Sequence, residues 1–293
     1  MPLAVCLIAD PTGTPLEPAL AAEAGRVLGA TPRWLAESEA CELMLEGGDP
    51  GALARRVRRA LGDSPLDVAV VDRAEPVKRL LISDMDSTII TVECIDELAD
   101  VLGLKAEVAA ITRRAMNGEL DFKAALRHRV ALLKGLPVAI IDEVYRERVR
   151  LMPGARTLIR TMRARGAITV LVSGGFEPFV ERVTDEVGFD LGEANRLEIE
   201  NGRLTGRVIE PIRDAGSKLA TLRQLSARHG LQPAQTLAVG DGANDLPMLA
   251  AAGLGVAFRA HPRVIAASRV AITFGDLTAL LYLQGIPKSA FAS

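Results

Sequence analysis

Four short apolar runs, at residues 80–83, 168–173, 236–240 and 255–258, are each followed by polar, Gly-rich or helical sequence. Parallel strands covered on both faces read as continuous apolar stretches joined by helical crossovers, so this rhythm predicts a parallel α/β sheet. A weaker run at 270–272 adds an edge strand. In open sheets of this kind, ligands bind beyond the carboxyl ends of the strands. Functional residues are therefore sought at those ends.

The rhythm breaks once. Between Ile90 and Met152 the sequence reads as helices, at 93–104, 105–118, 121–136 and 138–151. This insertion, at about residues 91–152, follows directly on the end of the first strand. It is expected to sit over the mouth of the sheet as a cap that closes on a ligand and excludes water.

Ahead of the sheet, residues 1–75 carry strand-like runs at 4–9, 33–37, 40–45 and 66–71, with helical stretches at 17–28 and 50–61. That βαββαβ order predicts a four-stranded antiparallel sheet with two helices on one face, a ferredoxin-like α+β module. The segment from Arg73 to Lys78 holds a proline and opposite charges and reads as a linker, with the boundary at 73–76. The 293 residues thus divide into units 1–75 and 76–293, in keeping with about 100–200 residues per domain.

With 35 basic and 37 acidic residues the net charge is −2. No broad positive field exists to draw nucleic acid or an anionic membrane, so any anion must be gripped locally. The chain lacks an apolar run of about 20 residues and its start lacks a basic secretory leader, so a cytoplasmic location is expected. Cys6, Cys41 and Cys94 show no Cys-x-x-Cys spacing and read as reduced packing residues.

The chemistry begins at Ser83-Asp84-Met85-Asp86-Ser87-Thr88. Side chains two apart in extended backbone point the same way, so Asp84 and Asp86 project together from a strand end and need a cation or a shared proton. The run 236–239 leads into Gly240-Asp241-Gly242-Ala243-Asn244-Asp245, which brings a further carboxylate to a neighbouring strand end. Convergent carboxylates make a hard oxygen site of the kind Mg2+ prefers. After the run 170–172 comes Ser173-Gly174-Gly175-Phe176, whose hydroxyl and backbone N–H groups at a helix start are suited to phosphate oxygens. Lys218 completes the set as a point charge.

DMDST, SGGF, the downstream Lys218 and GDGAND, in this order and with a helical insertion after the first, resemble the haloacid dehalogenase superfamily of aspartate-nucleophile phosphotransferases. The resemblance covers about residues 79–283, and the stretches DMDSTIITVECIDELAD and RRAMNGELDFKAALRHRVALLKGL are similar to the phosphoserine phosphatases within it. It implies a Rossmann-like parallel core with a helical cap, preceded here by an ACT-type module. It further implies Mg2+-dependent hydrolysis of O-phospho-L-serine, the last step towards L-serine, through an aspartyl-phosphate. The alternative is another phosphomonoester: phosphohomoserine, a sugar phosphate or a phosphoprotein.

By that resemblance Asp84 is the nucleophile and Asp86 the general acid and then base. Mg2+ is held by the Asp84 carboxylate, the Asp86 main-chain carbonyl and Asp241, with Asp245 ordering its water shell. Phosphate is held by Ser173, Gly174 and Lys218, with Asn244 also at the substrate. In the cap, Glu93 takes the ammonium of phosphoserine and Arg129 its carboxylate. Phe122 stands seven residues before Arg129, and on a helix that spacing gives both the same face. Met85 departs from the aromatic that many members carry there. The N-terminal module is expected to sense L-serine or to hold two subunits together through its sheet edges.

Overall fold

A computed structural model of the chain describes residues 1–116 and 120–292. The first unit comprises β1 (Leu3–Ala9), α1 (Pro18–Leu28), β2 (Pro32–Ala36), β3 (Ala40–Leu45), α2 (Pro50–Leu61) and β4 (Leu66–Asp72). Both helices open on a proline, whose fixed φ and missing N–H suit a first turn, and Asp49 caps α2 by accepting from the Ala52 N–H. The strands pair antiparallel in the order β2-β3-β1-β4. This arrangement fits an ACT-like module.

All seven residues of β1 are buried. Val5, Leu7 and Ala9 pack with residues of the two helices, whereas Ala4, Cys6 and Ile8 join a core that includes Leu277, Leu281 and Tyr282 of the second unit. Alternating side chains thus meet apolar matter on both sides. That double burial is why the strand reads as one continuous apolar run.

The second unit begins with β5 (Leu80–Ser83), followed by four cap helices: α3 (Cys94–Val101), α4 (Lys105–Met116), α5 (Phe122–Leu132) and α6 (Ala139–Arg148). The last two residues of the second expected cap helix, Asn117 and Gly118, lie outside the described residues. The chain continues through α7 (Ala155–Ala164), β6 (Ile168–Phe176), α8 (Glu177–Val187), β7 (Leu191–Glu200), β8 (Arg203–Ile209) and α9 (Ala215–Arg228). It finishes with β9 (Thr236–Gly240), α10 (Leu246–Ala251), β10 (Leu254–Phe258), α11 (Pro262–Ala267), β11 (Val270–Ile272) and α12 (Ala279–Tyr282). The sheet order is β11-β10-β9-β5-β6-β7-β8, parallel throughout except for the antiparallel pair β7-β8.

Two features differ from the sequence reading. The Ser-Gly-Gly segment does not open a helix: β6 runs on to Phe176, after a register shift that follows Val172, and α8 starts at Glu177. The β7-β8 hairpin was not expected at all. Its turn is Asn201-Gly202, both left-handed at φ 51° and 73°, which is the dipeptide that a tight hairpin turn demands.

The stretch between β4 and β5 is no free tether. The Arg73 guanidinium is paired with buried Glu42 and donates to the Leu283 carbonyl, while the Lys78 N–H donates to Gln284 Oε1 at 3.0 Å. Asp67, only 2 % exposed, accepts the backbone N–H groups of Thr273 (2.7 Å), Phe274 (3.1 Å) and Gly275 (2.8 Å). The two units are therefore joined by a shared core and a buried polar seam. Cys6, Cys41 and Cys94 are free and buried, and among the described residues no helix is long and apolar enough to cross a membrane.

Candidate active site

β5 lies between β9 and β6, with Ser83 in register with Val239 on one side and Leu171 on the other. Three neighbouring strand ends thereby present Asp84, Asp241 and Ser173 to one space. The Asp84 N–H donates to the Val239 carbonyl at 3.0 Å, and its Oδ1 accepts the Met85 N–H at 2.8 Å. This fixes the carboxylate at the rim of the sheet. Met85 itself is fully buried in the core.

Lys218 reaches the same point from the first turn of α9, whose start is fixed by a reciprocal Asp214–Ser217 capping box. Its Nζ lies 2.7 Å from Asp84 Oδ1 and 2.7 Å from Asp245 Oδ1, and the side chain is 2 % exposed. Burial pulls the ammonium down, but Asp245 and Asp84 outweigh it and hold Lys218 above the ordinary lysine value. Asp245 Oδ2 in turn accepts the Gly242 N–H at 3.0 Å. Residue 240 must be small here, because a Cβ on Gly240 would stand 2.4 Å from the Asp245 carboxyl carbon.

One oxygen each from Asp84, Asp241 and Asp245 lie within 4.8 Å of one another, all three side chains being buried. Burial and the charge of Asp84 push Asp245 up to about 7, and burial, Asp84 and Asp245 raise Asp241 well above the carboxylate range. A single ammonium cannot balance three carboxylates. The site is thus short of positive charge and built of hard oxygen donors, which is the chemistry that suits Mg2+. The carboxylate of Asp86 stands outside this trio.

Asp86 instead faces the N-terminus of α3, accepting the Cys94 N–H at 3.2 Å. Burial first, then the charges of Glu93 and Asp84, raise it well above the usual carboxylate range. A carboxyl group whose pKa is raised in this way is suited to general acid work. Gly175 flanks it closely, since a Cβ there would fall 2.9 Å from Asp86 Oδ2. Ser173 is 1 % exposed, and its Oγ accepts the Gly175 N–H at 2.8 Å.

These groups line a cavity of about 330 Å³ together with Glu93, Phe122, Arg129, Gly174 and Asn244. All the expected site residues except Lys218 and Asp245 are on its wall, and those two lie just behind it, Lys218 against both Asp84 and Asp245. Phe122 and Arg129 share one face of α5 as their spacing requires, and the Phe122 ring covers Gly174, whose added Cβ would meet it at 3.2 Å. Glu93 accepts the Ser87 hydroxyl at 2.7 Å. Burial and the nearby charges of Asp84 and Asp96 raise its pKa against that bond.

Arg129 is 7 % exposed, yet among the described residues no carboxylate lies within ion-pair distance of its guanidinium. Burial lowers its pKa, opposed by the more distant Glu93 and Asp96. Asn244 Oδ1, also at this cavity, is buried without a hydrogen-bond partner. Unsatisfied buried groups of this kind mark where a ligand completes the structure.

Several participants escaped the sequence reading. Thr88 donates to Asp241 Oδ1 at 3.1 Å, and Ser87 supports Glu93; both sit in the Asp-x-Asp-x-Thr stretch, so their proximity to the carboxylates was available as a signal. Asn195, 1 % exposed, ties the Gly174 carbonyl (2.8 Å) to the Arg213 N–H (2.7 Å) just before α9. Nothing local in the sequence marks it.

Paired acidic strand ends with a buried lysine, beneath an inserted helical cap on a mainly parallel sheet, define the class as a capped α/β protein with a carboxylate-rich candidate site. The family model for haloacid dehalogenase-like hydrolases matches residues 81–250. The chain belongs to that family and is a hydrolase. It is 49% identical over 223 residues to a phosphoserine phosphatase of Polaromonas, covering 74% of this chain and 94% of that protein. It is 44% identical over 243 residues to a phosphoserine phosphatase of Mycobacterium tuberculosis, covering 82% of this chain and 59% of that longer protein. Among solved structures, a HAD family hydrolase of Salmonella enterica serovar Typhi superposes with a TM-score of 0.84 at 31% identity, over 96% of this chain and 98% of the other.

Proposed function

We propose that this hydrolase cleaves O-phospho-L-serine to L-serine and phosphate through a phosphorylated Asp84. The observation that carries this reading is the cap wall: a buried guanidinium without a carboxylate partner, Arg129, stands in the same cavity as the carboxylate of Glu93. A zwitterionic amino-acid head supplies the missing anion to the first and an ammonium to the second. The Polaromonas and Mycobacterium relatives, both phosphoserine phosphatases, support the same substrate. A sugar phosphate or phosphohomoserine would leave one of the two charges unmet or misplaced, and a phosphoserine within a polypeptide has its amine and carboxyl tied up in peptide bonds and so meets neither.

The chemistry follows from charge and position. Asp84 attacks phosphorus as an ionised carboxylate, so it needs no base of its own. Asp86, protonated at the outset, delivers its proton to the departing serine oxygen; the resulting carboxylate then takes a proton from the water that hydrolyses the acyl phosphate. Lys218, the Ser173 hydroxyl and the Gly174 N–H balance charge on the equatorial phosphate oxygens. Asp84, Asp241 and Asp245 would hold Mg2+, with the Asp86 carbonyl as a further oxygen donor. When bound, that ion offsets the repulsion between a carboxylate nucleophile and a phosphate dianion.

The deciding experiment is phosphate release from L-phosphoserine by the wild type and by Asp84→Asn, with acid quenching of the wild type to trap the acyl phosphate. Undiminished turnover in Asp84→Asn defeats the mechanism. No turnover of L-phosphoserine by the wild type defeats the substrate. The same reading places the enzyme in the cytoplasm and gives the ACT-like unit an L-serine-sensing or subunit-pairing role. Light scattering and activity of the full chain with and without L-serine test both.

A further inference from the structure

The guanidinium of Arg129 has a polar side-chain partner, and it is a neutral one. Arg129 Nη1 donates to Thr112 Oγ1 at 3.0 Å, and Thr112 Oγ1 donates its own proton to the Val108 carbonyl at 3.0 Å, one turn back along α4. The remaining contact, Arg129 Nε to the Ala125 carbonyl on its own helix, is long at 3.4 Å. Thr112 also lines the cavity. A threonine bonded to the i−4 carbonyl has its hydroxyl direction fixed, and with it the lone pair it offers.

We propose that Thr112 is the positioning residue that aims Arg129 at the substrate carboxylate and so sets the preference for amino-acid phosphomonoesters; this rests on the function proposed above. The argument is one of pairing. A flexible guanidinium at a buried site has several donors and many rotamers. A carboxylate at residue 112 would aim it equally well, but would neutralise it in the absence of ligand and compete with the ligand carboxylate. A hydroxyl that donates to the Val108 carbonyl, with Asp96 also close enough to act on it, aims the cation while leaving its charge unspent. The contact also joins α4 to α5, so the two cap helices share one specificity element.

Asp96, on α3, completes the surroundings. Its Oδ1 is buried without a hydrogen-bond partner, and its charge acts on Arg129 from beyond ion-pair distance. The helix bearing Glu93 at its N-cap therefore biases Arg129 electrostatically, while Thr112 directs it geometrically.

The test compares kcat/KM for L-phosphoserine with that for O-phosphoethanolamine, which keeps the phosphate and ammonium but lacks the carboxylate. For the wild type the ratio should favour L-phosphoserine. In Thr112→Val, an isostere without the hydroxyl, that ratio should fall about tenfold, carried by KM for L-phosphoserine, as expected for a misdirected charged hydrogen bond. Thr112→Ser should restore it. A Thr112→Val variant that loses activity on both substrates in proportion, or that keeps the wild-type ratio, overturns the proposal, as does a serine variant no better than valine. A wild type without preference between the two substrates overturns the functional reading itself, and the proposal with it.

Discussion

The Lys218 ammonium stands 2.7 Å from Oδ1 of Asp84 at the end of the central strand, and the same nitrogen meets Asp245 at the same distance. The lysine is thus already engaged by the carboxylate proposed as the nucleophile, and on that proposal it serves the resting site and the reaction alike. Lys218→Met should lower kcat/KM by about 10²- to 10³-fold, the size seen when one charge-stabilising donor is lost. It should also leave Asp84, Asp241 and Asp245 without their buried counter-charge. Chelation of divalent ions should therefore lower the unfolding temperature of this variant more than that of the wild type. Thermal unfolding with Mg2+ and with EDTA measures this, and equal shifts in both proteins would count against the shared-counter-charge account.

A second prediction concerns space. A Cβ on Gly175 would lie 2.9 Å from Asp86 Oδ2, closer than carbon and oxygen tolerate. Gly175→Ala should push the Asp86 carboxyl off its place at the start of α3 and reduce kcat about 10²-fold, the lower end of what general acid–base catalysis contributes. The fold should survive, because overpacking of this kind costs about 1–3 kcal/mol. Steady-state kinetics and circular dichroism on the same preparation separate the two effects.

Much of this site was legible because its chemistry sits where strands stop. Asp84 and Asp241 follow apolar runs directly, and those runs also fix the parallel sheet. β7-β8 was not legible as strands from its apolar pattern, since the hairpin is half-exposed and its charged residues hide the alternation; the Asn201-Gly202 turn was the signal to use. The seam between the units was invisible for another reason. Asp67, Arg73 and Glu42 look like surface charges along the chain, and only the tertiary fold brings Asp67 to three N–H groups over 200 residues away. Thr112 was hidden likewise, as a threonine inside a helix carries no local mark of the arginine it meets on the next one.

Arg129 should show a trade between binding and stability. Its guanidinium is buried and its charge unpaired among the described residues, an arrangement that costs folding free energy until a ligand arrives. Arg129→Met keeps the apolar stem and removes that penalty. KM for L-phosphoserine should rise about 10- to 100-fold, matching the loss of charged hydrogen bonds worth about 1.5–3 kcal/mol. The unfolding temperature of the ligand-free variant should equal or exceed that of the wild type. A variant that binds weakly because it is destabilised would show the opposite shift in a thermal melt.

The last prediction tests the seam through pH. Burial raises the pKa of Asp67, opposed by the N–H groups of Gly275, Thr273 and Phe274 that it accepts. A folded pKa above the unfolded value of about 3.9 means that the folded state holds the proton more tightly. The associated stability is therefore fully present below about pH 3.9 and is lost as pH rises through the folded pKa. Asp67→Asn cannot titrate and turns an amide N–H2 toward donors that need an acceptor, so it should be less stable by about 1–3 kcal/mol. The gap between wild type and variant should widen as pH is lowered from 7 towards about 4. Urea unfolding of both proteins across that range measures the gap, and a gap that narrows on acidification would mean that Asp67 is held more comfortably as an anion than its burial implies.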